Sequence, residues 1–290
     1  MTLKSQLELP IERDKEPDRN HAKGGRSFYF FDFDDNVIHL PTSLYLFNKN
    51  SSVEKEVTTR EFAQIGHMIG KSAPWENFEI RLDAQTGSFR RFRQRDLNIL
   101  DRLLFRRQPL YEDLRKALKT ADHNWKGPSW EFFWHAVHNA RPLSIITARG
   151  HKPQSIKEAV SLLVKKKQLS REPNYLSVYP VSDLETRSIL GDKEWQWHTA
   201  KLKKAAIHFS VEEAFKVYGF NSSHRFGMSD DDPTNIKLVI EAMQELKAIY
   251  PQNSFFVIDT QNGQLVKQEV FADSVKKPEP FVPAQLNLFE

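Results

Sequence analysis

Hydrophobic and polar positions along this chain alternate between strand-like and helix-like spacing. Phe28-Tyr29-Phe30-Phe31-Asp32-Phe33-Asp34-Asp35-Asn36 opens as an apolar run and breaks abruptly into acids. An aromatic-rich run of this length predicts a buried strand over 28–33. Ser43–Phe47 predicts a second strand, and Val53–Thr58 a third that returns as a hairpin across the Asn48–Ser52 turn. Thr59 is the expected cap of a short helix reaching Ile69. Leu97, Leu100, Leu103, Leu104, Leu110, Leu114 and Leu118 then recur at helical spacing, broken at Pro109, and predict one or two amphipathic helices.

A helix over Ser129–Asn139 follows, with Trp130, Phe132, Phe133 and Trp134 expected in the core. From there strands and helices alternate. Leu143–Ile146, Tyr175–Val181 and Phe255–Ile258 read as strands, and Gln154–Gln168 as a helix. Lys201–Tyr218 reads as a second helix, with Ser210 as a candidate interruption. Asp232 and Pro233 are a natural N-cap and first residue for a third, striped by Ile236, Val239, Ile240, Met243, Leu246 and Ile249. Asn262-Gly263 predicts a turn that brings Gln264–Phe271 back antiparallel. This order implies an α/β, Rossmann-like parallel sheet with helices on both faces.

The expected divisions are a disordered tail over 1–26, a core of 27–40 plus 126–271, an inserted cap over 41–125, and a flexible tail over 272–290. Among the 290 residues 39% are hydrophobic, below the usual globular share, which fits unpacked ends. There is no cysteine, which excludes disulfides, thiolate metal sites and a cysteine nucleophile. No stretch approaches membrane-spanning length and no apolar signal opens the chain. A soluble, cytoplasmic protein with no membrane partner is expected.

Asp32 and Asp34 would share one side of an extended strand. Two carboxylates so close repel unless a proton or cation lies between them. The run therefore reads either as a strand entering a solvated acidic turn or as a site. Thr147 and Asp230/Asp231 close two further strands, and a parallel sheet sets such ends along one edge.

These residues resemble the haloacid-dehalogenase-like hydrolases. Asp32-Phe33-Asp34-Asp35-Asn36 is similar to their first motif, Ile145-Ile146-Thr147 to the second and Ser229-Asp230-Asp231 to the fourth. Lys201, Lys203 and Lys204 are candidates for the third, with Lys203 preferred because Ile207 one turn on can anchor its helix. The resemblance covers about Ser27–Leu40 and Gly127–Phe271, and the segment between the first two motifs matches the family's cap in position. It implies a phosphatase in which Asp32 attacks phosphorus, giving an aspartyl-phosphate, while Asp34 protonates the leaving oxygen and then activates water. It implies Mg²⁺ held by Asp32, Asp34 (through its carbonyl), Asp230 and Asp231, with Thr147 and the lysine on the transferring oxygens. Asn36 departs from the family, which usually has Thr there. Arg149 is a candidate substrate-phosphate contact, and His151 is expected in solvent at a helix start.

Two basic or terminal features stand apart. Arg90–Arg107 interleaves arginines with Phe92 and Phe105, which reads as a solvated helix face or as a nucleic-acid or polyphosphate contact. Residues 276–283 read as a Pro-rich extended spacer before Gln285-Leu286-Asn287-Leu288-Phe289, which resembles the bacterial sliding-clamp-binding peptide. Gln285, Leu286, Leu288 and Phe289 would be its partner-binding residues, and a clamp-tethered phosphatase acting on DNA ends or nucleotides is one alternative function. A non-catalytic binding protein is the other.

Overall fold

The structure, a computed structural model, describes residues 14–83, 85–120, 124–261, 265–275 and 279–280. β1 (Ser27–Phe31) leads into a segment carrying β2 (Ser43–Asn48), β3 (Glu54–Thr58), α1 (Thr59–Ile65), β4 (Phe78–Glu79), α2 (Ile99–Leu103) and α3 (Pro109–Ala117). α4 (Trp130–His138), β5 (Pro142–Thr147), α5 (Pro153–Lys165), β6 (Asn174–Pro180), α6 (Leu184–Ile189) and α7 (Thr199–Tyr218) follow. β7 (Arg225–Asp230), α8 (Pro233–Ile249), β8 (Ser254–Asp259), β9 (Val266–Val270) and β10 (Glu279–Pro280) complete the described elements.

The main sheet runs β10-β9-β8-β7-β1-β5-β6. Its strands from β8 to β6 are mutually parallel, while β9 and β10 add an antiparallel edge. β1 lies inside, paired on both sides, so its side chains serve two cores. Phe28 and Phe30 pack with α7 and α8, while Phe31 and Phe33 pack with α3, α4 and α5. That split follows from the period of two along a strand. Each buried aromatic contributes roughly 1.5–3 kcal/mol, which makes β1 the centre of the molecule. Among the described residues no helix is long and apolar enough to cross a membrane.

The segment after β1 builds its own three-stranded sheet, β3-β2-β4, over a small cluster of Leu44, Leu46 and Val57. Its last helix behaves differently: α3 packs on α5, and Leu110 and Leu114 join the main core. Residues 41–125 thus contribute to the core as well as lying beside it.

Several local expectations shift. Thr58, not Thr59, caps α1, in a reciprocal capping box with Glu61, and the helix ends at Ile65. α7 runs unbroken through Ser210, whose hydroxyl donates to the Ala206 carbonyl (2.8 Å) within the helix. α6 carries no clear periodic signal in the sequence; it is short, with few apolar positions, and Asp183 caps it. Phe132 and Trp134 are only partly buried.

The described parts of the two flanking segments contact the core. Residues 14–26 dock on the core: Asp18 accepts from the Ser27 amide (2.9 Å) and pairs with Arg141 (2.7 Å). After β9 the chain returns to the sheet, Val275 bridging Val270 and Glu279–Pro280 pairing with β9. Proline is tolerated there because β10 is an edge strand. The Asn262-Gly263 turn and the Gln285–Phe289 peptide lie outside the described residues.

Candidate functional site

The carboxyl ends of β1, β5 and β7 bring the acids together. Asp32 leaves β1 with its amide bonded to the Ser229 carbonyl of β7 (3.0 Å), so its backbone is still held by the sheet. Asp35 then takes a left-handed φ of 59°, and its amide donates to the Ile38 carbonyl (2.9 Å). The chain reverses at once, leaving Asp32 and Asp34 at the mouth of a tight loop.

Lys203 reaches this loop from α7. Its Nζ lies 2.9 Å from Asp32 Oδ1 and 3.1 Å from Asp230 Oδ2, and the residue is buried. Leu202, Ala206 and Ile207 bury the same helix face, which aims Nζ inward. The other two lysines are committed elsewhere: Lys201 stacks on Trp197 (3.8 Å) and Lys204 pairs with Glu245 (2.6 Å). Asp230 Oδ1 also accepts from the Asp232 amide (3.0 Å) and the Asn235 amide group (3.2 Å). Asp232 itself caps α8, accepting from the Thr234 amide.

Electrostatics at this cluster are unbalanced. Burial drives Asp32 well above the usual carboxylate range; Lys203 pulls it back, and Asp230 adds to the rise. Burial, then Asp230 and Asp35, push Asp231 up to about 7. Burial alone would lower Lys203, but the Asp32 and Asp230 carboxylates outweigh it and hold the ammonium charged. One carboxylate oxygen from each of Asp32, Asp230 and Asp231 lies within 4.8 Å of the other two. Three hard oxygen donors facing a single ammonium suit a hard divalent cation.

Asn36 is the bracket of the site and is fully buried. Its amide nitrogen donates to the Asp32 carbonyl (3.1 Å), the Ser229 carbonyl (3.0 Å) and Ser229 Oγ (2.9 Å). Its Oδ1 accepts from Ser129 (2.8 Å) ahead of α4 and from Thr260 (2.8 Å) after β8. One side chain therefore ties β1, β7, β8 and α4 together. Gly127 is required beside it, since a Cβ there would stand 2.3 Å from the Asn36 carbonyl.

Asp34 turns toward β5. It accepts from Thr147 Oγ1 (3.0 Å) and is gripped by Arg149, whose Nε lies 2.9 Å from each oxygen. Arg149 Nη2 lies 2.6 Å from Asp34 Oδ1 and 2.8 Å from Thr42 Oγ1, and the guanidinium sits over the Phe92 ring at 4.7 Å. Arg149 is thus buried with two of its nitrogens on Asp34, while its Nη1 has no hydrogen-bond partner among the described residues. Just after the 3₁₀ turn Arg90–Phe92, Arg93 forms an isolated parallel bridge to the same loop: the Gly150 amide donates to the Phe92 carbonyl (2.8 Å) and the Gln94 amide to the Gly150 carbonyl (3.0 Å). His151, expected in solvent, is fully buried beneath this seam. Burial, then Arg149 and Arg91, push it well below the ordinary imidazole range.

The arginine run is only partly free. Arg90 pairs with Glu54 (2.6 Å) and stacks on Tyr45 (3.4 Å), Arg91 pairs with Asp113, and Arg106 pairs with Asp101 (2.8 Å). Much of this charge serves the segment's internal structure. Thr42, Ser129 and Thr260 had no signal in the sequence, because single hydroxyls far apart in the chain announce nothing until the fold joins them. Comparison of the chain with protein-family models, curated proteins and solved structures found no match.

Proposed function

We propose that the protein hydrolyses a phosphomonoester through an aspartyl-phosphate on Asp32. The observation that supports this most is the Asp32–Lys203–Asp230 triangle at adjoining strand ends, beside the Thr147–Asp34 pair.

In the first half-reaction an Asp32 carboxylate oxygen attacks phosphorus, and the bond from phosphorus to the leaving oxygen breaks. Asp34 supplies the proton that the leaving oxygen needs. In the second half, water attacks the acyl phosphate, Asp34 takes its proton, and free phosphate leaves as the Asp32 carboxylate is restored. Lys203, held charged, orients Asp32 and offers positive charge to the transferring oxygens, with the Thr147 hydroxyl as a second donor. Mg²⁺, held by Asp32, Asp230, Asp231 and the Asp34 carbonyl, would supply the charge that lets a carboxylate approach a phosphate dianion. Arg149 sets the direction of Asp34 and leaves the phosphate to the other donors.

The test is phosphate release from an aryl phosphate with Mg²⁺. Wild type should turn over and Asp32→Asn should fall to background, with its fold intact by circular dichroism. Undiminished turnover by Asp32→Asn would remove the mechanism. One observation favours a second reading, a phosphate-binding protein without turnover: Asp34 is engaged by both Arg149 and Thr147. Phosphate binding by wild type without turnover of sugar, nucleotide or 3′-phosphorylated DNA substrates would establish it instead.

A further inference from the structure

α2 is built inside out. Ile99, Leu100, Leu103, Leu104 and the following Phe105 are between 65% and 83% exposed, whereas Asp101 between them is 5% exposed. Helical spacing of 99, 100, 103 and 104 sets these side chains on one face, so the whole apolar stripe looks outward. Burial ordinarily turns such a stripe inward, at roughly 1.5–3 kcal/mol per residue.

Polar bracing holds the helix in this attitude. The Asp101 amide donates to Asn98 Oδ1 (2.8 Å), Asp101 Oδ2 accepts from the Asn98 amide (3.2 Å), and Arg106 pairs with Asp101 Oδ1 (2.8 Å). Phe105 is held at a left-handed φ of 52°, which a bulky side chain rarely adopts, and is left projecting. None of these supports uses the leucines, so the apolar face is free for another surface.

The charge around the face limits what can cover it. From 93 to 107 the chain carries Arg93, Arg95, Arg102, Arg106 and Arg107 against Asp96 and Asp101. Arg95 and Arg106 side chains are 45% and 49% exposed, and Asp101 is already spent on them. A second copy would bring like charges face to face. A nucleic-acid backbone would answer the arginines but leave the aliphatic side chains in water. A projecting apolar knob with a basic rim matches a medium that is soft, apolar within and anionic at its surface.

We propose that this face seats on an anionic lipid surface, with Leu100, Leu103, Leu104 and Phe105 entering the apolar layer and the neighbouring arginines meeting headgroup phosphates. The expectation of no membrane partner rested on spanning length, which does not bear on a surface contact. The contact is independent of turnover at Asp32.

The full chain is to be floated with vesicles of phosphatidylcholine alone and of phosphatidylcholine with phosphatidylglycerol in equal parts. Wild type should float with the anionic vesicles only, and less so as salt rises. Leu100→Glu/Leu103→Glu alters exposed positions, should keep its circular-dichroism melt, and should lose about tenfold or more of the bound fraction. Failure of wild type to bind anionic vesicles, or equal binding by the double variant, overturns the proposal. A concentration-dependent dimer in wild type that the double variant lacks, without vesicle binding, assigns the face to self-association and overturns it too.

Discussion

The Arg149 guanidinium grips both oxygens of Asp34, with Nε 2.9 Å from each and Nη2 2.6 Å from Oδ1. Thr42 and the Phe92 ring hold that guanidinium from the inserted segment. The segment after β1 is thereby coupled to the carboxylate assigned to proton transfer. Lysine cannot reproduce a planar fork. Arg149→Lys should lower kcat on an aryl phosphate by about 100-fold with KM little changed, since the error is one of orientation. Steady-state kinetics decide it; a raised KM at constant kcat would return Arg149 to the role of substrate ligand.

Asn36 should matter to stability as much as to activity. Asn36→Leu keeps the branched shape but takes away the acceptor of the Ser129 hydroxyl and the side-chain donor to the Asp32 carbonyl, while Thr260 and the Ser229 carbonyl each keep one other partner. Buried polar groups left unpaired cost about 1–3 kcal/mol each, so a loss of about 2–4 kcal/mol is expected once the loop relaxes. Urea denaturation measures this, and an unchanged midpoint would show that the bracket carries no weight.

Asp231 should make stability depend on pH and on Mg²⁺. Its native value of about 7 lies above the ordinary 3.8, so between these values the native state holds the extra proton. The contribution is complete below 3.8 and is lost as pH rises through 7. Without metal, the melting temperature should fall between pH 5 and pH 8, by about 3 °C per kcal/mol lost. Mg²⁺ should restore it above pH 7, and Asp231→Asn should flatten both effects. A metal-free melt that does not change with pH would contradict the crowded-carboxylate picture.

Lys267 gives a second titration, remote from the acids. Burial, then Arg225 and Arg19, lower it from 10.5 to about 8, and it packs on Phe256 at 4.3 Å. Between those values the unfolded chain holds the proton more tightly, so stability climbs as pH rises from 8 to 10.5. Lys267→Met keeps the packing without the charge. It should raise the melting temperature at pH 7 by about 3 °C or more, a gain that fades above pH 10. Equal melting curves at pH 7 would mean the charge is already relieved.

Hydrophobic periodicity is a local property, and what it governs was legible along the chain. The aromatic run of β1, the stripe of α8 with its Asp232 cap, and the alternation that makes a mostly parallel sheet all follow from neighbours a few residues apart. Once the sheet is parallel, Asp32, Thr147 and Asp230 must share an edge, and the Ile207 anchor selects Lys203. What only the tertiary structure decided involves partners distant in sequence. Asn36 meets Thr260 across 224 residues, and Arg149 meets Asp34 across 115. Burial of His151 and docking of residues 14–26 likewise depend on surfaces that exist only after folding. The leucines of α2 show the same limit: their spacing specified a helix with an apolar face, but which way that face turns was settled by the polar contacts of one aspartate.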